Sequence, residues 1–448
     1  MFDVVINNGT LIDPDLKTSF KGSLGIKDGK LAEITTTELV GIKSINASGL
    51  IVSPGFIDIH GHVDGEDYCG ELSLRQGITT TIGGNCGLSP INMNEFFDKQ
   101  DKKGFVINQA ELVGHSMSLR KAVGITDVYS AANKEQICKM KYLTEKALCE
   151  GACGLSLGLE YAPHSSLEEI YAVCIIAANY NRPITIHTRT SSDHDLNSLR
   201  EAIEISRVTG APVLISHFVY QYNVVMDKAL KIVDKAIEDG LNIKIDSGLY
   251  NDWATSIGTA IFCEKNVNHG LCLNKMLVAS GKYKGERLNN KLYKELRASN
   301  PCECIIYCTD SNESVYKALD KNYSMPSSDI GPYKKGEGHP QISGTFPRYF
   351  RCMVRERKEI SLIEAVRKAT FLPAETMGLK QKGRIKKGTD ADVVIFDIDT
   401  IRDKSDFPDV GVPDRKPEGI KYVFVNGRLV LDGGMIKNST AGRTIRTA

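Results

Sequence analysis

The sequence predicts a (β/α)₈ barrel accompanied by a small β-sandwich assembled from both chain termini. Three observations carry that expectation. Strand-like and helix-like runs alternate through the middle of the chain. Polar residues that end the strand-like runs recur about every 30 positions, the length of one βα unit. The two ends share a different pattern, short β-rich runs broken by tight-turn signals.

The terminal pattern comes first along the chain. DVVINNGTLID and GSLGIKDGKLAEI are interrupted by Asn-Gly and Asp-Gly, which favour two-residue hairpin turns. DADVVIFDI and KYVFVNGRLVLDGG repeat the pattern near the end. The expected division is therefore a sandwich from 1–51 and 383–448 around a barrel over 52–382. Within the barrel the strand-like runs are GFIDIHGH, GITTTIGGNC, FVINQAELVGH, CGLSLGLE, RPITIHTR, APVLISHF, LNIKIDSG and CIIYCTDSN. Between them SSLEEIYAVCIIAANY, DLNSLREAIEISRVTG and VVMDKALKIVDKAIEDG place apolar residues at three- and four-residue spacing, as amphipathic helices do. Eight such strands call for a closed parallel barrel. The segment 253–300, with its helical GERLNNKLYKELRAS, reads as an insertion or lid, and 311–340 as a long mobile loop.

Bulk properties exclude several classes. The chain has 448 residues, 42% of them hydrophobic and 25% charged, which is ordinary globular usage. With 56 basic against 55 acidic residues the net charge is +1, so no field attracts nucleic acid or an anionic membrane. No apolar run approaches the roughly 18 residues of a membrane span. MFDVVINNGTLIDPD lacks the features of an export signal, which predicts a cytoplasmic protein. In that setting the 12 cysteines read as mostly reduced, buried thiols, and Cys302 and Cys304 lack a second pair at zinc-finger spacing.

In a βα barrel the reactive groups sit where strands end. His60 and His62, two apart on an extended run, point to the same side and can reach one metal centre. His187 ends TIH, His217 ends LISH, Cys86 follows the turn IGGNCG, and Asp310 ends IIYCTD. Taken singly, each has an ordinary explanation: a hydrogen-bonded core histidine, a small buried thiol, a helix-capping carboxylate. Together they are the nitrogen, sulfur and oxygen donors that zinc prefers.

PGFIDIHGHVD resembles the first-strand signature of the amidohydrolase superfamily. GNCG, GLSLGLEYAP, HTR, ISH, CTDSN, HPQISGTFPR and RKATFLPAETMGLKQKGRIKKGTDADVVIFD resemble its N-acyl-D-amino-acid deacylase branch, in order and over nearly the whole chain. The resemblance implies a zinc-dependent hydrolase of C–N bonds acting on a small amide, usually as an oligomer. It makes His60 and His62 the first-strand ligand pair, Cys86 the bridging ligand, His187 and His217 the ligands of strands five and six, and Asp310 the eighth-strand catalytic aspartate. One zinc would be held tightly by Cys86, His187 and His217, and a second more weakly through the HxH pair.

The chain departs from that branch at clustered positions. After the sixth-strand histidine it reads SHFVY, without the branch's Lys. Gly248 stands where the branch has the first Tyr of DxYPY, and Gln341 where it has the Arg of HPR. Those Lys, Tyr and Arg positions grip a carboxylate in the branch, and an Arg-to-Gln change removes its bidentate charged partner. Arg189, Tyr250 and His339 are the candidate substrate contacts. His115, at the end of the third strand, reads as a structural hydrogen-bonding group. Three functions fit these residues: an amidase for N-acylated or N-carbamoylated amino compounds, a cyclic-amide hydrolase of the hydantoinase or dihydroorotase kind, and an inactive scaffold. A scaffold is expected to have lost metal or catalytic positions, and all six are filled.

Overall fold

A computed structural model describes residues 1–189, 195–269 and 271–447. Eight parallel strands form the barrel: Phe56–Asp58, Ile78–Gly83, Asn108–Gly114, Gly154–Gly158, Ile184–His187, Val213–Ile215, Ile243–Ser247 and Ser324–Pro326. Each pairs in parallel with the next, from the first through to the eighth. The seam between eighth and first is bridged by Asp329 N–H donating to the His60 carbonyl (2.8 Å) and His62 N–H donating to that of Ile330 (2.8 Å). The barrel strands are almost wholly buried, with helices packed outside, so the threonines of Ile78–Gly83 and the polar side chains of Asn108–Gly114 are buried along with the apolar ones.

The helices form where the periodicity places them. Leu167–Asn179 is capped by the Ser166 side chain, which accepts from Glu169 N–H. Leu196–Thr209 is capped by Asp195 and stops at Gly210, whose φ of 72° suits a residue without Cβ. Met226–Glu238 presents Ala229, Leu230, Val233 and Ala236 to the core. Apolar burial of such a face, not intrinsic propensity, is what holds helices of this length.

The termini form one mixed nine-stranded sheet, in which Ile51–Pro54 pairs antiparallel with Val393–Phe396 and so joins the two ends of the chain. It encloses its own apolar cluster, including Leu11, Leu24, Ile26, Val52, Ile395 and Phe424. A buried polar junction fixes the sheet to the barrel. Asp392 accepts from Lys382 Nζ (2.6 Å), Asn108 Nδ2 (3.0 Å) and Asn426 N–H (2.7 Å), so a charged side chain is buried with its partners supplied. Phe56, opening the first barrel strand, stacks on Phe350 (4.9 Å) and Phe346 (5.7 Å) and meets Phe396 of the terminal sheet edge-on. That aromatic block sets the height of the strand that carries His60 and His62.

Two expectations need correcting. The run Cys304–Tyr307 is not a barrel strand: it pairs antiparallel with Trp253–Ser256 and Met276–Val278 in a separate three-stranded sheet. The eighth barrel strand is Ser324–Pro326, inside the segment read as a loop, which also holds the helix Glu313–Asp320. The physical reason is competition between two strands. The apolar run Cys304–Tyr307 has the stronger β character, and it is consumed by the core of the insertion, against Ile257, Phe262 and Met276.

Candidate metal centre

The side chains at the carboxyl ends of the barrel strands converge. His60 Nε2 lies 3.4 Å from Cys86 Sγ, and His217 Nε2 lies 3.5 Å from the same sulfur. All three residues are buried, and their donor atoms fall within 4.8 Å of one another. A second group, His60, His62 and Asp329, meets the same spacing, with Asp329 Oδ1 at 3.6 Å from His60 Nε2 and 3.4 Å from His62 Nε2. His187 joins from the fifth strand, its ring 4.5 Å from that of His217, while its Nε2 meets Glu160 Oε2 at 2.6 Å.

Local backbone explains how the sequence delivers these groups. Cys86 has a φ of 53° and His217 a φ of 34°, both in the left-handed region that side chains with a Cβ rarely adopt. Such conformations cost about 1–3 kcal/mol and persist where surrounding contacts over-determine them. For Cys86 the surroundings are tight: a Cβ on Gly158 would come within 2.0 Å of the Cys86 carbonyl oxygen, so only glycine lets the turn seat there. At the sixth strand Asp246 accepts from His217 N–H (2.9 Å) and from Ser327 Oγ (2.6 Å), tying that strand end to the eighth.

The electrostatics are those of a cradle for a cation. Burial would raise the Cys86 thiol, but the charge of His60 and hydrogen bonds from His187, His217 and His60 hold it well below the usual thiol range. Burial likewise opposes charge on the histidines, yet Asp329 and Cys86 lift His62 to about 10, and Cys86 and Glu160 lift His187 to about 9. Desolvation of Asp329 is outweighed by His62, His60 and His217, which keep its carboxyl below the ordinary range. A thiolate and a carboxylate thus gather protonated imidazoles around them. The buried Nδ1 atoms of His187 and His217 have no hydrogen-bond partner among the described residues, while Glu160 holds the His187 ring through its Nε2. The donor set of imidazoles, thiolate and carboxylate fits zinc.

Not every expected residue belongs to this cluster. Asp310 is a correction: it follows a strand of the inserted sheet, its side chain is 85% exposed, and it pairs with Lys275 at 2.7 Å. Arg189 is spent on its own surroundings, bonding Glu201 (3.2 Å) and the carbonyls of Pro163 and Ser165. Tyr250 and His339 pack ring against ring at 5.2 Å. Burial pushes His339 down to about 3, so it is neutral, and its Nδ1 accepts from Gln341 N–H. His115 bonds Glu169 (3.0 Å) in a buried ion network with Arg120, away from the cluster.

Asp329, Glu160, Asp246 and Tyr220 were missed by sequence reasoning. Asp329 follows the three-residue strand Ser324–Pro326, which has no apolar run to advertise it. Glu160 sits in GLSLGLEYAP, a motif read for its family likeness and not for its carboxylate. Tyr220, stacked on His217 at 5.5 Å and 23°, lies at helical spacing that looks like core packing.

With strands, donors and charges arranged this way, the carboxyl end of the barrel carries a candidate metal centre. The model of the amidohydrolase family matches residues 51–430, and the chain belongs to that family. It is 29% identical to the D-aminoacylase of Alcaligenes xylosoxydans xylosoxydans over 492 residues, covering 100% of this chain and 98% of that one. A solved D-aminoacylase, described with a binuclear metal center, covers 100% of both chains at a TM-score of 0.89 and 26% identity. The N-acyl-D-glutamate deacylase of Bordetella bronchiseptica, solved with zinc and a phosphonate mimic of the tetrahedral intermediate, does so at 0.88 and 26%.

Proposed function

We propose that this chain is a zinc-dependent amidohydrolase that cleaves the amide of an N-acylated amino compound, with Asp329 moving the proton. The carrying observation is the convergence of His60, Cys86 and His217 with His62 and Asp329 at the carboxyl end of the barrel. Cys86, His187 and His217 would hold one zinc, and His60, His62 and Asp329 would border a second, weaker position. A zinc ion there polarises a carbonyl and lowers the pKa of water to about 7.

The remaining work falls to the chain. Asp329 Oδ1 faces both first-strand histidines, so it can accept a proton from the attacking water and pass it to the departing nitrogen. Glu160 fixes the His187 ring through its Nε2, the orienting role carboxylates play behind metal-bound imidazoles. The strand-end position encloses the reaction while the loops shape the substrate pocket. The names of the full-length relatives support a linear N-acyl substrate.

A cyclic-amide substrate is the second reading. Its support is the text SHFVY without a Lys, together with Gly248 and Gln341, where a carboxylate grip is expected. The test is to strip the protein with chelator, restore zinc, and assay N-acetyl amino compounds beside hydantoins and ureides. Zinc-dependent release of acetate from the linear compounds is expected. Turnover of rings alone would select the second reading, and no turnover by zinc-loaded protein would overturn both.

A further inference from the structure

The wall of the site beside His217 carries two neutral side chains, Tyr220 and Gln341, with a defined hydrogen-bond polarity. Tyr220 lies in the short helix Phe218–Tyr222 that follows the sixth strand, and its ring stacks on the His217 imidazole. Its hydroxyl donates to Gln341 Oε1 at 2.7 Å. Gln341, only 2% exposed, is held in turn: its Nε2 donates to the Asp329 carbonyl at 3.0 Å, and its backbone N–H bonds His339. A Cβ on Gly248 would come within 2.7 Å of the Tyr220 hydroxyl, so the space a side chain at 248 would need is filled by that oxygen.

The polarity follows from counting protons. A tyrosine hydroxyl has one proton and two lone pairs. With the proton given to Gln341, the oxygen can offer the site only lone pairs. A lone pair receives an N–H and repels a carboxylate oxygen. The neighbouring guanidiniums do not reverse this, and imidazoles that ligate zinc do so as neutral rings. The Arg189 guanidinium is bonded to Glu201 and loop carbonyls, and Arg348 bonds the Leu249 carbonyl and Asp403. Asp329 and Asp246, on the adjoining strand ends, add negative charge to the same wall.

We infer that Tyr220 is a specificity-determining residue, positioned by Gln341, which accepts a neutral N–H of the substrate beside the scissile amide. The substrate class is then an N-acylated amino compound whose carboxyl is a carboxamide or a ureide-like group, not a free acid. This rests on the hydrolase reading for the reaction, but the selection itself is a binding property.

It is tested by calorimetric titration of zinc-loaded protein with N-acetyl-leucinamide and N-acetyl-leucine, each as D and L forms, with acetate release measured alongside. The amide of one enantiomer is expected to bind at least about tenfold more tightly than the acid, the worth of roughly one hydrogen bond plus an avoided repulsion. Tyr220→Phe should collapse that ratio toward one. Gln341→Met, which keeps the volume and frees the tyrosine proton to donate, should shift the ratio toward the acid. Zinc content and melting temperature identify a variant that has merely lost its fold, and wild-type binding decides the matter without either variant. Equal binding, preference for the acid, or no binding of either amide would overturn the inference. Tight amide binding without acetate release would leave it standing and count against the hydrolase reading alone.

Discussion

Two aspartates that each follow a strand by three residues, Asp310 and Asp329, have opposite surroundings. Asp310 leaves the inserted sheet into solvent, where Lys275 meets it as a surface ion pair. Asp329 leaves the eighth barrel strand into a buried enclosure, facing His60 and His62. The same functional group is screened and replaceable in the first place, and in the second it is locked in a low-dielectric site beside a thiolate. What makes a carboxylate chemically useful here is the enclosure and the donors around it. A strand end supplies neither by itself.

The comparison can be broken first at the shared sulfur. Cys86→Ala removes the thiolate around which the imidazoles gather and should abolish tight zinc retention after dialysis, measured by elemental analysis, with activity lost in parallel. Zinc retained at wild-type affinity would show that the cluster is not the metal site. A smaller effect is expected at Glu160→Gln. Loss of an orienting carboxylate typically costs about 10–100-fold in metal affinity, read by competition with a chelating dye. The change should be confined to affinity, leaving the zinc stoichiometry at saturation as it was.

The smallest effect is a proton count. His62, lifted to about 10, and His187, lifted to about 9, are protonated in metal-free protein at pH 7.5 and must lose their protons to ligate. Zinc binding should therefore release protons into weak buffer, and apparent affinity should rise with pH. Release should fade between about pH 9 and 10, where the free protein has already lost them. Pairing with Lys275 gives Asp310 no part in that count, and zinc binding to Asp310→Asn should release the same number.

Much of this site could be read from residues alone, for physical reasons. His60 and His62 are legible because a period of two puts both on one face of a strand. Cys86, His187 and His217 stand out because each ends an apolar run or a glycine-rich turn in a chain of regular βα spacing. Asp329 was not legible. Its strand, Ser324-Met325-Pro326, has neither alternation nor an apolar run, and it holds its place through pairing with Ile245, Asp246 and Ser247. Meanwhile Ile305 and Ile306 make a convincing strand that tertiary contacts assign to the insertion. The terminal sheet was legible through its turns at Asp28-Gly29 and Asn426-Gly427, whereas Asn8-Gly9 lies inside the strand Phe2–Asp13 as an irregularity in its pairing, and the nine-stranded pairing across the two chain ends depends on contacts hundreds of residues apart.

The most direct measurement sets the two aspartates against each other in zinc-loaded protein, with an N-acetyl amino compound as substrate. Asp329→Asn should lower kcat by about 10²–10⁴-fold, as loss of a general acid–base does, while zinc content stays near that of the parent. Asp310→Asn should stay within about twofold of the parent, as expected for a screened surface pair. The reverse pattern, or an Asp329→Asn enzyme that keeps near-normal turnover, would contradict the account.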